Sequence, residues 1–167
     1  MVTATGTARA AAAAVVDPEM PMLTLADLGV LRDVTELGDA VSVTITPTYS
    51  GCPAVDVMRD DLRAALTAAG FARVEVRTVL SPPWSTDWIS DEGRRKLADA
   101  GIAPPGRVGL RPAGPVPLTL TAPADVVPCP RCGAPATEET SRFGPTACTA
   151  LRRCRSCREP FEHMKEL

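Results

Sequence analysis

Alternation of apolar and polar residues predicts two paired strands in the first third of the chain. The strands cover residues 29–37 and 40–46 and are joined at Gly38-Asp39, which makes a hairpin. Residues 73–80 alternate in the same way and predict a third strand. In the second strand every other residue is apolar and faces one side of the sheet: Val41, Val43 and Ile45.

A helical period follows the hairpin and predicts a helix from Cys52 to about Ala69. Pro53 suits the first helical position, which makes Cys52 the predicted N-cap. Gly70 is placed to end the helix in the left-handed conformation. The apolar face of this helix has the spacing of a core-facing helix: Val55, Met58, Leu62, Ala65, Leu66 and Ala69.

Two further helices flank this part of the chain. The alanine-rich residues 8–16 predict an N-terminal helix that Pro18 stops, because the residue before a proline avoids the α region. Ser90-Asp91-Glu92 opens a short helix that ends before Gly101. The predicted fold class is therefore α+β, a small mixed sheet with helices, followed by a small β ribbon.

A proline-rich stretch over residues 104–128 divides the chain, because it keeps no amphipathic period and predicts an extended linker. We expect a first domain over 17–103 and a cysteine domain over 129–167. Residues 1–16 form the helix or tail that precedes the first domain.

The cysteine domain contains two Cys-x-x-Cys pairs separated by 21 residues. This spacing is typical of a tetrahedral four-sulfur site and predicts one structural zinc ion. A redox pair is disfavoured because no βαβ pattern surrounds either pair. Four thiolates would also accept an iron–sulfur cluster, which spacing alone does not exclude. The predicted metal ligands are Cys129, Cys132, Cys154 and Cys157.

Other polar residues of the cysteine domain receive simpler interpretations. Cys148 is interpreted as a small buried residue or a spare thiol that could compete as a ligand, and His163 as a surface residue. Neither is among the predicted ligands. Four arginines near the second pair predict a solvated basic face or a docking surface. Nucleic-acid binding is disfavoured, because glutamates adjoin these arginines and the formal net charge is −2. The arginines are Arg152, Arg153, Arg155 and Arg158.

Several other classes of protein are disfavoured. A single histidine leaves no base for a nucleophilic serine, and no glycine loop of the phosphate-binding type is present. No apolar run reaches the length of a membrane span, and no export signal is evident. We therefore expect a cytoplasmic protein, in a reducing compartment where six cysteines favour metal chemistry over disulfides.

Cys52 is the second candidate for chemistry. At a helix N-terminus the unpaired amides favour the thiolate, which binds metals or attacks electrophiles. An alternative stays open, in which the residue fills a small hole under the sheet. Four polar residues are candidate neighbours of the thiol, although each has an ordinary capping or turn explanation: Asp17, Thr46, Thr48 and Tyr49.

Several longer strings resemble known families. Residues 17–21, 27–30 and 44–53, the last reading TITPTYSGCP, resemble the SufT-like metal–sulfur cluster assembly domain. Residues 82–90 (PPWSTDWIS) and the ribbon end at 154–161 (CRSCREPF), with GIAPP before the linker, are similar to the PaaD family. That family comprises accessory proteins of the multicomponent phenylacetyl-CoA epoxidase, a di-iron monooxygenase.

The resemblance implies a non-catalytic helper that assists iron or iron–sulfur centre maturation of the oxygenase or its reductase. It implies that Cys52 transiently holds iron or a cluster, and that the four ribbon cysteines bind zinc. Asp17 and Thr48 are the candidate neighbours of Cys52. The implied partners are the oxygenase components and their reductase, and homodimer formation stays open. The alternatives are a permanent structural subunit of the oxygenase complex and an independent redox enzyme.

Overall fold

The computed structural model describes residues 5–107 and 126–166. The chain divides into two compact units, a first unit up to Lys96 and a second unit over Leu97–Glu166. Within the two described ranges, no helix combines the length and apolar character needed to cross a membrane.

The first unit is built on a three-stranded mixed sheet. Strand β1 (Leu31–Leu37) pairs antiparallel with β2 (Ala40–Ile45), and β2 pairs parallel with β3 (Arg73–Thr78). Gly38 turns the hairpin with a φ of +65°. This arrangement confirms the predicted α+β class with a mixed sheet and the predicted position of the hairpin.

Two helices pack on the inner face of this sheet. Helix α1 (Thr5–Ala13) lies against β1 and against α2 (Val55–Ala68), and α2 also packs on β3. Ala8 and Ala12 have no exposed surface. The alanine-rich segment, treated from the sequence as separate from the domain at 17–103, is thus part of the first unit, because small side chains let the helix lie close to its neighbours.

The predicted apolar faces form the core of the first unit. The alternating residues of β2 are 0–3% exposed, as the period-two pattern predicts. At the end of α2, Gly70 has a φ of +99°, and the amide of Phe71 donates to Leu66 O, which closes the helix with a left-handed glycine as predicted. The α2 residues that are buried are Met58, Leu62 and Leu66.

The segment after β3 returns to the loop before β1. Its short 3₁₀ helix covers Thr86–Trp88, and the indole Nε1 of Trp84 donates to Leu28 O at 2.9 Å. Helix α3 (Asp91–Asp99) follows, and Ser90 Oγ accepts from the amide of Gly93 at 2.9 Å. Ser90 is therefore the N-cap of the helix that the sequence predicts here.

The second unit is a four-stranded sheet in the order β4-β7-β6-β5. The central strands are β6 (Thr149–Cys154) and β7 (Pro160–Met164), with β5 (Thr137–Ser141) at one edge and β4 (Ile102–Ala103) at the other. Strand β6 pairs antiparallel with both β5 and β7, whereas β4 runs parallel to β7.

The boundary between the units falls earlier than the sequence indicates. We expected the first domain to extend to residue 103, but residues 97–103 belong to the second unit. The physical reason is that Ile102 and Ala103 pair with β7 opposite Glu162 and His163. Most of the predicted linker at 104–128 lies outside the described residues, which end at 107 and resume at 126.

Candidate metal centre and thiol sites

The four ribbon cysteines occupy two turns of the second unit. Cys129 and Cys132 lie in the turn that precedes β5. Gly133 closes that turn with a φ of +71°, and its amide donates a hydrogen bond to Cys129 O. Cys154 is the last residue of β6, and Cys157 lies in the turn that leads to β7. A tight turn at each pair directs two thiols toward the same point.

The structure brings together the four thiols that the spacing selected. All four Sγ atoms lie within 4.8 Å of one another. Cys129 Sγ is 3.8 Å from Cys157 Sγ, and Cys132 Sγ is 3.6 Å from Cys154 Sγ. Zinc–sulfur bonds of about 2.3 Å in a tetrahedron would put the sulfurs about 3.8 Å apart. The donor set therefore fits a zinc ion with four thiolate ligands and no open position.

The electrostatics of the cluster favour the thiolate at Cys154 over the thiolate at Cys157. The amide of Cys157 donates to Cys154 Sγ at 3.5 Å, and this bond, with the Ser156 amide and neighbouring thiols, lowers the pKa of Cys154 to about 6 against the effect of burial. The Glu159 amide lowers the pKa of Cys157, but burial and the adjacent thiols outweigh it and raise that pKa to about 12. A cation among the sulfurs would offset the repulsion between neighbouring thiolates.

The core beneath the cysteines is small. Among the described residues its buried members are five, of which two are candidate metal ligands. A cluster of this size removes little apolar surface from water, and a bound metal would add folding free energy to the ribbon. The five members are Ala103, Val127, Cys129, Cys154 and Phe161.

Cys52 lies before α2, not at its N-cap as predicted. The helix begins at Val55, and Ala54 is the cap residue with no side-chain hydrogen bond. Cys52 sits in the preceding turn, where its amide donates to Tyr49 O and its carbonyl accepts from the amide of Val55 at 3.4 Å. Proline at position 53 is thus in the entry turn. The thiol still lies close to the start of the helix, and the residue is 9% exposed.

The residues predicted around Cys52 are placed by their own turns. Asp17 is buried, and its Oδ1 accepts from the amides of Glu19 and Met20 at 2.9 and 2.8 Å. Burial raises the pKa of Asp17, and the two amides oppose the rise only in part. Thr46 is buried and its amide donates to Val30 O, while Thr48 lies half-buried in the loop that leads to Cys52. Asp17 as a neighbour of Cys52 therefore stays a prediction, as does Thr48.

The structure contradicts the predicted exposure of His163 and confirms the predicted burial of Cys148. His163 was expected at the surface, but it is only 6% exposed, because it lies on central strand β7 opposite Ala103 and Ala150. Cys148 is buried as expected, with its Sγ 3.1 Å from Thr146 Oγ1. Neither belongs to the group of four cysteines.

The arginines of the ribbon are less uniform than a solvated basic face. Arg152 is only 7% exposed, because it projects from central strand β6 toward Thr137 and Glu139. Arg155 pairs with Glu138 at 3.1 Å.

Sequence reasoning overlooked Phe143, which is 76% exposed between β5 and β6. The string Arg142-Phe143-Gly144-Pro145, an aromatic residue within turn-forming composition, is the signal that could have found it.

Two family models match different parts of the chain. The model described as "Iron-sulfur cluster assembly protein" matches residues 7–78, from α1 to the end of β3. The model described as "PaaD zinc beta ribbon domain" matches residues 113–165, which include all four cysteines of the cluster. Each unit of the structure is thus similar to a separate known domain.

Individual proteins are similar to the whole chain or to part of it. A putative 1,2-phenylacetyl-CoA epoxidase subunit of Escherichia coli is 44% identical over 89% of this chain and 85% of its own length. "Fe-S protein maturation auxiliary factor" of Porphyromonas gingivalis is 34% identical over 50% of this chain and 80% of its own length. A crystal structure of "Domain of Unknown Function DUF59" from Bacillus anthracis has 29% identity and a TM-score of 0.51, and the match covers 55% of this chain and 89% of that one.

Proposed function

The chain belongs to the PaaD family, and from that premise we propose that it is a non-catalytic accessory protein that matures metal centres of a phenylacetyl-CoA epoxidase. The observation that carries the proposal is the union, in one chain, of a unit similar to iron–sulfur maturation factors with a unit that holds four clustered thiols. We propose a cytoplasmic location, because a reducing compartment keeps these thiols available.

Cys52 is the residue to which we assign the handling of iron or a cluster. Its turn lies between the exposed Ser50-Gly51 and the start of α2, so a partner can approach the backbone on one side, and the positive end of the helix would favour an anionic sulfur. The residue is 9% exposed, which suits a thiol that is reached only during transfer. The cargo is thus held transiently and passed to the oxygenase or to its reductase.

The ribbon has a different part in the proposal. Four thiolates from Cys129, Cys132, Cys154 and Cys157 would hold a zinc ion and leave no position open for a substrate or water. Bound zinc would supply folding free energy for a unit whose own core is small. We therefore assign this unit to docking on the epoxidase, and we assign catalysis to neither unit.

The test compares two buried cysteines of the same chain. Cys52→Ala and Cys148→Ala each remove one thiol from a residue that is 9% or 5% exposed. Both variants should fold, because either change removes less packing than a large core truncation, which costs about 2–5 kcal/mol. The readouts are the iron content of the purified oxygenase, the cluster content of the reductase, and growth on phenylacetate in a strain that lacks the wild-type chain.

We expect Cys52→Ala to lower the metal content of at least one partner and to slow growth, although the partner polypeptides accumulate normally. Cys148→Ala should behave as the wild type. Fully loaded partners in the Cys52→Ala strain would refute the transfer role, and fixed-stoichiometry copurification with those partners would then favour the permanent structural subunit.

A further inference from the structure

We propose that the tip of the β5–β6 hairpin, Arg142-Phe143 with Lys165 beside it, is the contact by which the second unit docks on an acidic surface of an epoxidase component. This inference rests on the proposed function, which supplies the partner, and names the part of the chain that recognises it. The recognised surface would present carboxylates around an exposed apolar side chain.

Phe143 is held away from the ribbon core. It is 76% exposed, whereas Phe161 of the same unit is 6% exposed. An aromatic side chain that stays exposed contributes no favourable burial to folding. Aromatic residues are also enriched among those that dominate the binding free energy of protein interfaces. Binding of a partner over Phe143 would remove this apolar surface from water.

The backbone that carries Phe143 is ordered by a set of local hydrogen bonds. Ser141 Oγ accepts from the amide of Phe143 and donates to its carbonyl, at 3.1 and 2.9 Å. The amide of Gly144 donates to Thr149 O at 2.9 Å, and a Cβ at Gly144 would collide with Thr149. The tip therefore presents its side chain from a fixed backbone, which reduces the entropy that binding must remove.

The tip carries two cations in addition to the exposed ring. Lys165 Nζ lies 5.5 Å from the centre of the Phe143 ring and donates to Arg142 O at 3.2 Å. Arg142 is exposed. Among the described residues, neither cation is within ion-pair distance of a carboxylate, whereas Arg131, Arg152 and Arg155 each pair with a glutamate of the ribbon. The tip thus carries two positive charges that have no ion-pair partner among the described residues, and these charges favour an acidic partner.

A protein surface fits these groups better than a nucleic acid. Single-stranded nucleic acids are bound by a series of stacking aromatic residues along a basic groove. The tip offers one aromatic ring, and three arginines of the ribbon are already paired with glutamates: Arg131, Arg152 and Arg155. One apolar anchor with a charged border is instead the composition of a small protein docking site.

The test measures binding of the full, zinc-loaded chain to each purified epoxidase component and to the reductase. We expect one of them to bind, with an affinity that falls as ionic strength rises. Phe143→Ala and Arg142→Glu should each weaken that affinity at least tenfold, while Phe143→Trp should retain it. The matched controls lie in the first unit: Leu37→Ala, at a residue 74% exposed, and Arg63→Glu. Both should bind as the wild type does.

Three outcomes would overturn the inference: no binding to any of these proteins, unchanged affinity in Phe143→Ala, or tighter Phe143-dependent binding of a single-stranded RNA oligonucleotide than of any component. The failures of the two proposals are distinguishable. If Phe143→Ala loses docking while Cys52→Ala leaves the partners fully loaded with metal, only the transfer role is refuted. If Phe143→Ala docks normally while Cys52→Ala lowers the metal content of a partner, only the docking tip is refuted.

Discussion

Asp27 Oδ2 lies 2.7 Å from Lys96 Nζ, and this ion pair joins the turn before β1 to helix α3. The side chains are 12% and 33% exposed, so the pair is partly shielded from water. The carbonyl of Asp27 also accepts from the amide of Ser90 at 2.9 Å. Burial raises the pKa of Asp27, but hydrogen bonds from Lys96 and Thr24 outweigh it and hold the pKa below 3.8.

Replacement of Lys96 by methionine should destabilise the first unit. The change leaves the Asp27 charge without its ammonium partner, and we expect a loss of about 1–2 kcal/mol, between the values for surface and buried pairs. Urea unfolding followed by tryptophan fluorescence measures this unit alone, because both tryptophans, Trp84 and Trp88, lie in it. Arg95→Gln, which removes an exposed pair with Glu92, should cost less than about 0.5 kcal/mol.

The effect of Lys96→Met should depend on pH. Since the folded-state pKa of Asp27 is lowered, its stabilisation is complete above the ordinary value of 3.8 and is lost as the pH falls through the folded-state value. The difference between variant and wild type should therefore be largest near neutrality and shrink in acid. A difference that stays constant from neutral pH to pH values below that pKa would show that the ion pair is not its cause.

Gly29 should not tolerate a side chain. Its φ is +70°, and a Cβ there would lie 2.6 Å from Trp88 Cβ. Gly38, with a φ of +65°, has open space around the same position. Gly38→Ala should thus lower the free energy of unfolding by about 1 kcal/mol, because alanine strains the backbone at a positive φ. Gly29→Ala should lower it by at least about 2 kcal/mol more, because the 3₁₀ segment must also move. Equal midpoints in urea would contradict the close approach.

Asp17→Asn should raise stability at neutral pH. Burial raises the folded-state pKa of Asp17, so its ionisation opposes folding once the pH exceeds the unfolded value of 3.8, and the cost is complete above the folded value. Asparagine keeps an oxygen that can accept from the amides of Glu19 and Met20. The urea midpoint of the variant should exceed that of the wild type at pH 7 and lose this advantage in acid. A lower midpoint at pH 7 would show that the carboxylate charge stabilises this turn.

Removal of zinc should unfold the second unit and leave the first unit folded. We expect one zinc ion per chain, and its loss from Cys132→Ser, Cys157→Ser or a chelated wild type, because binding to such sites is worth about 10–16 kcal/mol. Elemental analysis counts the metal, amide exchange of β6 and β7 reports the second unit, and tryptophan fluorescence reports the first. Cys148→Ser, outside the cluster, should keep its zinc. Slow amide exchange in the metal-free ribbon would contradict this prediction.

Local signals determined much of the first unit. The hairpin at Gly38 and the end of α2 at Gly70 follow from positive φ values that glycine adopts at little cost. The buried faces of β2 and α2 follow from periods of two and 3.6 residues. The group of four cysteines also follows from local spacing, because each Cys-x-x-Cys turn directs both of its thiols to one point.

Contacts between distant residues decided the rest. Strand β4 has only two residues, too few to show alternation, and its place opposite Glu162 and His163 comes from pairing across sixty positions of the chain. Helix α2 begins at Val55 because the turn at Cys52-Pro53 is shaped by the backbone before it, although Pro53 by itself favours an earlier start.

Burial of polar groups was also decided by tertiary structure. Arg152 and His163 have side chains that are ordinarily exposed, and they are buried here because β6 and β7 are the central strands of the ribbon sheet. Phe143 is the reverse case, since an aromatic residue that composition alone would assign to a core lies in solvent. The sequence determined which residues could form turns, faces and a metal cluster, and strand order decided which side chains water reaches, because that order depends on pairing between segments far apart in the chain.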